Sequence, residues 1–294
     1  MMIIDAHSHL WLRQDTEVDG KRIYPLGNGR SMFLGEERQM LPPFMTDGTN
    51  TAEVFLSNMD YAQVGAAVVV QEVIDGNQDE YLAQVQARYP SRFLCCSLLD
   101  IDNGPLAIPD GFRAAAIPAH RMHRALNDPQ LVAFFKQMEA RGQILSLCLG
   151  DDARQIGQFA EVVQECPRLK VAIGHFGMVT GEHWEDQIRL AQAPNVFVES
   201  GGITWLFNSE FYPYPSAVRS ILRAAELAGM DKLMWGSDYP RTICAITYKM
   251  SYDFILKSGE LGLSDKEAFL GLNAKRFYGF GELPELPYIK NMSE

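Results

Sequence analysis

The sequence predicts an α/β fold, a single (β/α)8 TIM-barrel domain over residues 1–294 with a long loop after its first strand. Three observations carry that prediction. Eight short apolar runs recur along the chain, at 2–7, 66–71, 93–99, 112–118, 144–149, 170–175, 195–200 and 232–238. They are continuous rather than alternating, as parallel strands buried on both faces should be. Helix-like stretches fill the gaps, and with 47% hydrophobic residues the chain can bury a large core. A doubly wound sheet is the competing reading. It lacks its marks, because the sequence has neither a GxGxxG fingerprint nor a Walker A loop, and no nucleotide cofactor is expected.

The first run ends in Asp5-Ala6-His7-Ser8-His9. Residues i and i+2 of a strand share a face, so two imidazoles can share a metal ion or a substrate anion. Residues 10–50 break the rhythm, with glycines, prolines, Trp11, Phe33, Phe44 and the arginines Arg13, Arg22, Arg30 and Arg38. They read as an inserted loop over the catalytic face, a cover for the site or a contact in a homo-oligomer. Glu72 follows the second run, and His120, Arg121, His123 and Arg124 follow the fourth. Asp128-Pro129 offers an N-cap and a proline at N1, and Gly142 falls where that helix should stop. Asp151 and Asp152 follow the fifth run as N-caps or stand-in ligands.

The sixth run delivers His175 within Gly174-His175-Phe176-Gly177, and His183 falls at the start of a surface helix. Glu199 lies on the seventh run, with Trp205 and Phe207 beyond it as pocket walls or, more simply, packing residues. Pro215-Ser216 opens a helix that Gly229 can close. The eighth run ends in Gly236-Ser237-Asp238-Tyr239-Pro240, and Ser264-x-x-Glu267 reads as a capping box.

The formal net charge is −11 and the pI about 5.1, which argues against nucleic acid and anionic membrane surfaces as partners. A local arginine cluster can still hold a small anionic substrate. No run approaches a membrane span, and the N-terminus has no signal-peptide pattern. Cys95, Cys96, Cys148, Cys166 and Cys244 are odd in number and mostly apolar in setting, so they read as reduced thiols of a cytoplasmic protein.

In a barrel the strand ends gather on one face, so His7, His9, His175 and Asp238 should converge there. These four residues and their surroundings resemble the amidohydrolase superfamily, in its amidohydrolase-related branch. That branch includes aminocarboxymuconate-semialdehyde decarboxylase, resorcylate-type decarboxylases, pyrone-dicarboxylate lactonase and sugar-acid lactonases. The resemblance runs through Phe112-Arg113-Ala114-Ala115, Pro167-x-Leu169-Lys170, Ala193-Pro194-Asn195-Val196-Phe197-Val198 and the closing Asn273-Ala274-x-Arg276-Phe277-Tyr278.

The resemblance implies a hydrolase. In it His7 and His9 are paired metal ligands, Asp238 touches the metal and takes a proton from the attacking water, and His175 polarises a carbonyl or orients the nucleophile. If a divalent metal binds, zinc or manganese is expected, with His175 a further candidate ligand. Arg121, Arg241, His120 and Tyr239 are the expected contacts to an anionic small-molecule substrate. One departure matters. Metal-dependent members present a histidine after the fifth strand, where this chain reads Leu147-Cys148-Leu149-Gly150. Lactonase members also lack it. The expected reaction is therefore the opening of a lactone, with metal-dependent, non-oxidative decarboxylation of an aromatic or muconate-type acid as the alternative.

Overall fold

A computed structural model describes residues 1–292. Its frame is a set of short parallel strands: β1 (Ile4–Ser8), β6 (Ala66–Val69), β7 (Phe93–Cys95), β8 (Ser97–Leu98), β9 (Ala114–Ile117), β10 (Ile144–Leu147), β11 (Lys170–Ile173), β12 (Val196–Glu199) and β13 (Leu233–Met234). All eight apolar runs form strand, and the third is split at Cys96. β1, β6 and β7 pair in that order, and β8 through β13 pair in sequence. Register is uniform across β9, β10 and β11, where Ala114, Ile144 and Lys170 stand in step.

Hydrogen bonds also join β1 to residues 235–239: Ala6 N to Trp235 O, Asp238 N to His7 O, and His9 N to Tyr239 O, at 2.7–2.9 Å. The α-helices are α1 (Ala52–Tyr61), α2 (Asp79–Arg88), α3 (Pro129–Ala140), α4 (Ala153–Glu165), α5 (Trp184–Leu190), α6 (Ile203–Leu206) and α7 (Pro215–Ala228) between strands, then α8 (Met250–Lys257), α9 (Leu263–Glu267) and α10 (Asn273–Tyr278) after the last strand.

Strand alternation divides the core in two. Ala66, Val68, Ala114, Ala116, Ala172, Phe197 and Met234 pack together and are plugged by Ala274, Phe277 and Tyr278 of α10. Their neighbours Ala67, Val69, Ala115, Ile117, Val171, Val196 and Leu233 pack with the helices. The parallel strands are thereby buried almost throughout, which is why the runs carry no polar alternation. The punctuation behaves as the sequence implies at α3, where Asp128 caps Gln130 N and Leu131 N and Pro129 stands at N1. The capping box at Ser264 does not form. Gly262 is the N-cap of α9 and Ser264 lies inside the helix.

Residues 10–50 are not the expected loop. They carry an antiparallel sheet of β2 (Thr16–Val18), β3 (Lys21–Gly27), β4 (Arg30–Phe33) and β5 (Glu36–Gln39). Three two-residue turns join the strands, Asp19-Gly20, Asn28-Gly29 and Leu34-Gly35, with φ positive at both positions of each. Asp-Gly and Asn-Gly are strong hairpin signals, because both residues tolerate the left-handed region such turns require. Arg13 and Arg22 pair with Asp15, Arg30 with Glu37, and Arg38 with Glu36. No helix among the described residues is long and apolar enough to cross a membrane.

The approach of β1 to the strand end at 235–239 depends on Gly236. A Cβ there would stand 2.7 Å from His7 Cβ, 2.8 Å from Glu199 Oε2 and 3.1 Å from His7 N. Gly236→Ala is expected to cost about 1–3 kcal/mol through overpacking, measured as a lower urea midpoint at unchanged slope.

Candidate active site

His7 and His9 leave the end of β1, and a register shift between Asp5 and Ser8 aims the first of them. Ala6 packs with Phe197, and strict alternation would send His7 to the other face. Instead the His7 ring meets Glu199, which lies two residues after Phe197 on the same face of β12. A bulge re-aims a side chain in this way.

The ring hydrogens follow from the partners. His9 Nδ1 faces the Val70 carbonyl at 3.2 Å, an acceptor only, so it carries the hydrogen and Nε2 is bare. His7 Nδ1 lies 2.7 Å from Glu199 Oε1, and Gly201 N donates to Glu199 Oε2 at 2.5 Å. With Glu199 ionised, His7 Nδ1 donates and its Nε2 is also bare. Burial lowers both imidazoles, His7 to about 4, so both are neutral near pH 7. Glu199 itself is raised by burial to about 7.

The two bare Nε2 atoms stand 3.1 Å apart, and Asp238 Oδ1 lies 2.9 Å from His9 Nε2 and 3.7 Å from His7 Nε2. Three lone-pair donors thus point at one spot with no hydrogen among them. Atoms 2.0–2.1 Å from a tetrahedral ion stand about 3.3 Å apart, a value the three separations bracket. The donor set fits a divalent metal ion, and His7, His9 and Asp238 are the residues that could hold it. His175 stands beside them, its ring centre 4.5 Å from that of His7, and is not part of that group.

Asp238 is 1% exposed and sits at φ +58, a left-handed conformation that costs a non-glycine residue roughly 1 kcal/mol. It is held there by the bond from its N–H to His7 O and by Thr242, whose hydroxyl donates to Ser237 O at 2.5 Å. Trp205 Nε1 donates to Oδ2 at 2.7 Å. Burial alone would raise the Asp238 carboxyl; the His9 contact and the Arg241 guanidinium hold it well below the usual carboxylate range instead. His175 Nδ1 faces Gly201 O at 2.9 Å, and burial lowers this imidazole as well. Its Nε2 can therefore accept a hydrogen bond from water but cannot donate one to a carbonyl oxygen.

Asp238, His9 and His175 line a cavity of about 870 Å³ together with Glu72, His120, Arg121 and Arg241. The antiparallel sheet and its exit contribute Phe33, Arg38, Gln39 and Met40 to the same wall. Arg121 Nε donates to Glu72 at 3.2 Å, and Arg241 Nη2 reaches both Asp75 oxygens at 2.9 Å. Tyr239 is placed elsewhere than expected. It is fully buried, its ring stacks on Phe55 at 4.1 Å between centres, and it is not among the cavity residues. It packs in the helix-side core instead.

Asp152 caps α4, and Asp151 accepts from Glu182 N and His183 N, so both serve backbone turns. His183 is the N-cap of α5. His123 is exposed beside Asp102, and Arg124 pairs with Asp128. Cys148 ends the fifth run against the cavity, and burial holds its thiol well above its usual range, so it is no thiolate nucleophile. Trp205 lines the cavity as a pocket wall, but its bond to Asp238 has no sequence signal, and neither has Asp75, which holds Arg241. No pattern in the chain marks a tryptophan as the donor to a carboxylate 33 positions away.

A family model described as Amidohydrolase matches residues 4–280. No protein of curated function matches the sequence. Among solved structures, a probable 2-pyrone-4,6-dicarboxylic acid hydrolase from Acinetobacter baumannii, with citric acid bound, is 19% identical. It covers 95% of this chain and 100% of its own at a TM-score of 0.71. An amidohydrolase from Burkholderia multivorans with bound zinc is 15% identical over 97% of this chain and 100% of its own, at 0.69. A 5-carboxyvanillate decarboxylase from Novosphingobium aromaticivorans, complexed with manganese and a nitrobenzoic acid, is 15% identical over 78% and 80%, at 0.55. At these identities the likeness is one of fold.

Zinc at about 100 times its Kd should stabilise the protein by about 2.7 kcal/mol, read as a rise in melting temperature. His9→Ala should abolish that rise.

Proposed function

The chain belongs to the amidohydrolase family, and we propose that within it the protein is a cytoplasmic hydrolase that opens a lactone or similar cyclic ester of a small carboxylated molecule. The proposal includes a closed (β/α)8 barrel in one domain, residues 1–294, with the strand ends as its catalytic face. Asp238 carries the reading: an ionised, buried carboxylate on the cavity wall, oriented by Trp205 and facing two bare imidazoles.

In this reading Asp238 takes a proton from the attacking water, and the bare Nε2 of His175 orients that water by accepting its other hydrogen. The ring oxygen leaves from the carbonyl carbon and takes up a proton, giving a hydroxy acid. A divalent cation held by His7, His9 and Asp238 would supply Lewis acidity toward the ester carbonyl and the water. Arg121, Arg241 and His120 bind the substrate's carboxylate, guanidinium suiting that group by its planar fork. Supporting the lactone reading is Cys148, a neutral thiol where metal-dependent members present a histidine. The competing reading is a metal-dependent, non-oxidative decarboxylase of an aromatic or muconate-type acid, which would use the same residues.

A pH-stat assay separates the two, since lactone opening consumes base and decarboxylation releases carbon dioxide. With an active lactone in hand, Asp238→Asn should lower kcat roughly 10²–10⁴-fold while the unfolding curve stays in place. Full activity in a folded Asp238→Asn protein, or carbon dioxide release without base consumption, would overturn the assignment.

A further inference from the structure

Glu72 is a buried acid to which the lactone reading gives no work. It follows β6 as the N-cap of a short turn, Val73–Asp75. Its side chain is 8% exposed, whereas those of Arg121 and His120 are 26% and 28% exposed, and all three line the cavity. The acid therefore stands behind and the two basic groups stand in front. Glu72 Oε2 accepts from Arg121 Nε at 3.2 Å. Glu72 Oε1 lies 3.4 Å from His120 Nε2, is buried, and has no hydrogen-bond partner among the described residues.

We propose that His120, Arg121 and Glu72 form a proton-linked carboxylate subsite, in which a ligand carboxylate docks on Arg121 and His120 while Glu72 takes up one proton. This rests on the reading that the substrate carries a carboxylate. The physical reason is charge: a ligand carboxylate on Arg121 meets a second carboxylate already bound to that guanidinium. Two carboxylates sharing a buried site do not both stay ionised. The other groups facing this cluster are Arg241, Asp75, Cys148 and, toward His120, His175. Arg241 is bound by Asp75, and the Cys148 thiol is neutral. Burial already lifts Glu72 to about 7 and drops His120 to about 3, so Glu72 is the group in range to take the proton. The sign follows: bound anion raises Glu72 further, the complex holds more protons, and affinity falls as pH rises above 7, toward about tenfold per pH unit.

Phthalate, a dicarboxylate with no ester to hydrolyse, is a suitable probe. Calorimetric titration at pH 8 in two buffers of different ionisation heat should show about one proton taken up per phthalate bound. Glu72→Gln should bind with uptake near zero and an affinity flat from pH 7 to 9, and Arg121→Ala should bind at least tenfold more weakly. Uptake that survives in Glu72→Gln, wild-type binding without uptake, or no phthalate binding would each overturn the proposal. Should Glu72→Gln fail to fold, the wild-type proton count and the Arg121→Ala affinity decide alone. Failure of the lactone reading would appear elsewhere, as no base consumption in the pH-stat.

Discussion

His7 is completely buried, and its Nδ1 stands 2.7 Å from a carboxylate oxygen of Glu199, which is equally buried. The other features of the site are arranged around that contact. It settles which ring nitrogen is bare, and so which atom meets His9 and Asp238. It needs room, and glycines at three strand ends provide it. A Cβ at Gly174 would stand 2.8 Å from Glu199 Oε1, one at Gly201 2.8 Å from His7 Cγ, and one at Gly236 2.7 Å from His7 Cβ. It also needs Glu199 ionised, against the pull of burial, and Gly201 N–H supplies a bond to the charged form. The Gly-His-Phe-Gly and Gly-Ser-Asp motifs thus do two things: each delivers a polar side chain, and each clears space for a ring from another strand.

A second arrangement surrounds this centre. Glu72 and Asp75 lie on one short segment, yet they hold arginines from two different loops, Arg121 and Arg241. Each of these two guanidiniums is set by a buried acid behind it, as a ligand clamp needs if its fork is to be fixed before binding. The pairing also keeps the wall close to electrically balanced in a chain of net charge −11. Arg38, brought in by the antiparallel sheet, pairs with Glu36 with both side chains exposed. A carboxylate arriving here would meet cations that already have partners, so its binding depends on what those partners do with their charge.

Much of this was legible in the sequence. Strands buried on both faces must be apolar throughout, so all eight runs could be found, and chemistry gathered at strand ends gave His7, His9, His175 and Asp238. What escaped detection depends on local geometry or on long-range pairing. The hairpins at 16–39 carried their signals, Asp19-Gly20 and Asn28-Gly29, but strands of only three to seven residues with exposed polar faces look like loop by composition. The register shift in β1 leaves no trace in residue type, although without it His7 would face the helices. Tyr239 follows Asp238 within one motif, but the chain turns at Asp238 with φ +58, and Tyr239 packs on Phe55 in the core, a change of direction that residue type does not signal. Trp205 reaches Asp238 across 33 residues, a contact fixed by the fold alone.

The fifth strand end carries Cys148 where the family resemblance leads one to expect a metal-binding histidine, and the setting of Cys148 gives that difference physical content. Its sulfur would lie 2.7 Å from a Cβ at Gly174, among Glu199, Glu72 and Asp238, whose negative charges add to burial in opposing a thiolate. A histidine there would add a neutral nitrogen donor, but a thiol in that field adds a group that stays protonated. The donor set of the site is then two nitrogens and one carboxylate, all from the two adjoining strand ends at β1 and residues 235–239. Cys148, His120 and Arg121 line the same cavity without belonging to that donor set. In the proposed reading Asp238 takes the proton with Arg241 3.8 Å beside it, while Arg121 and His120 reach the same cavity from the short turn after β9.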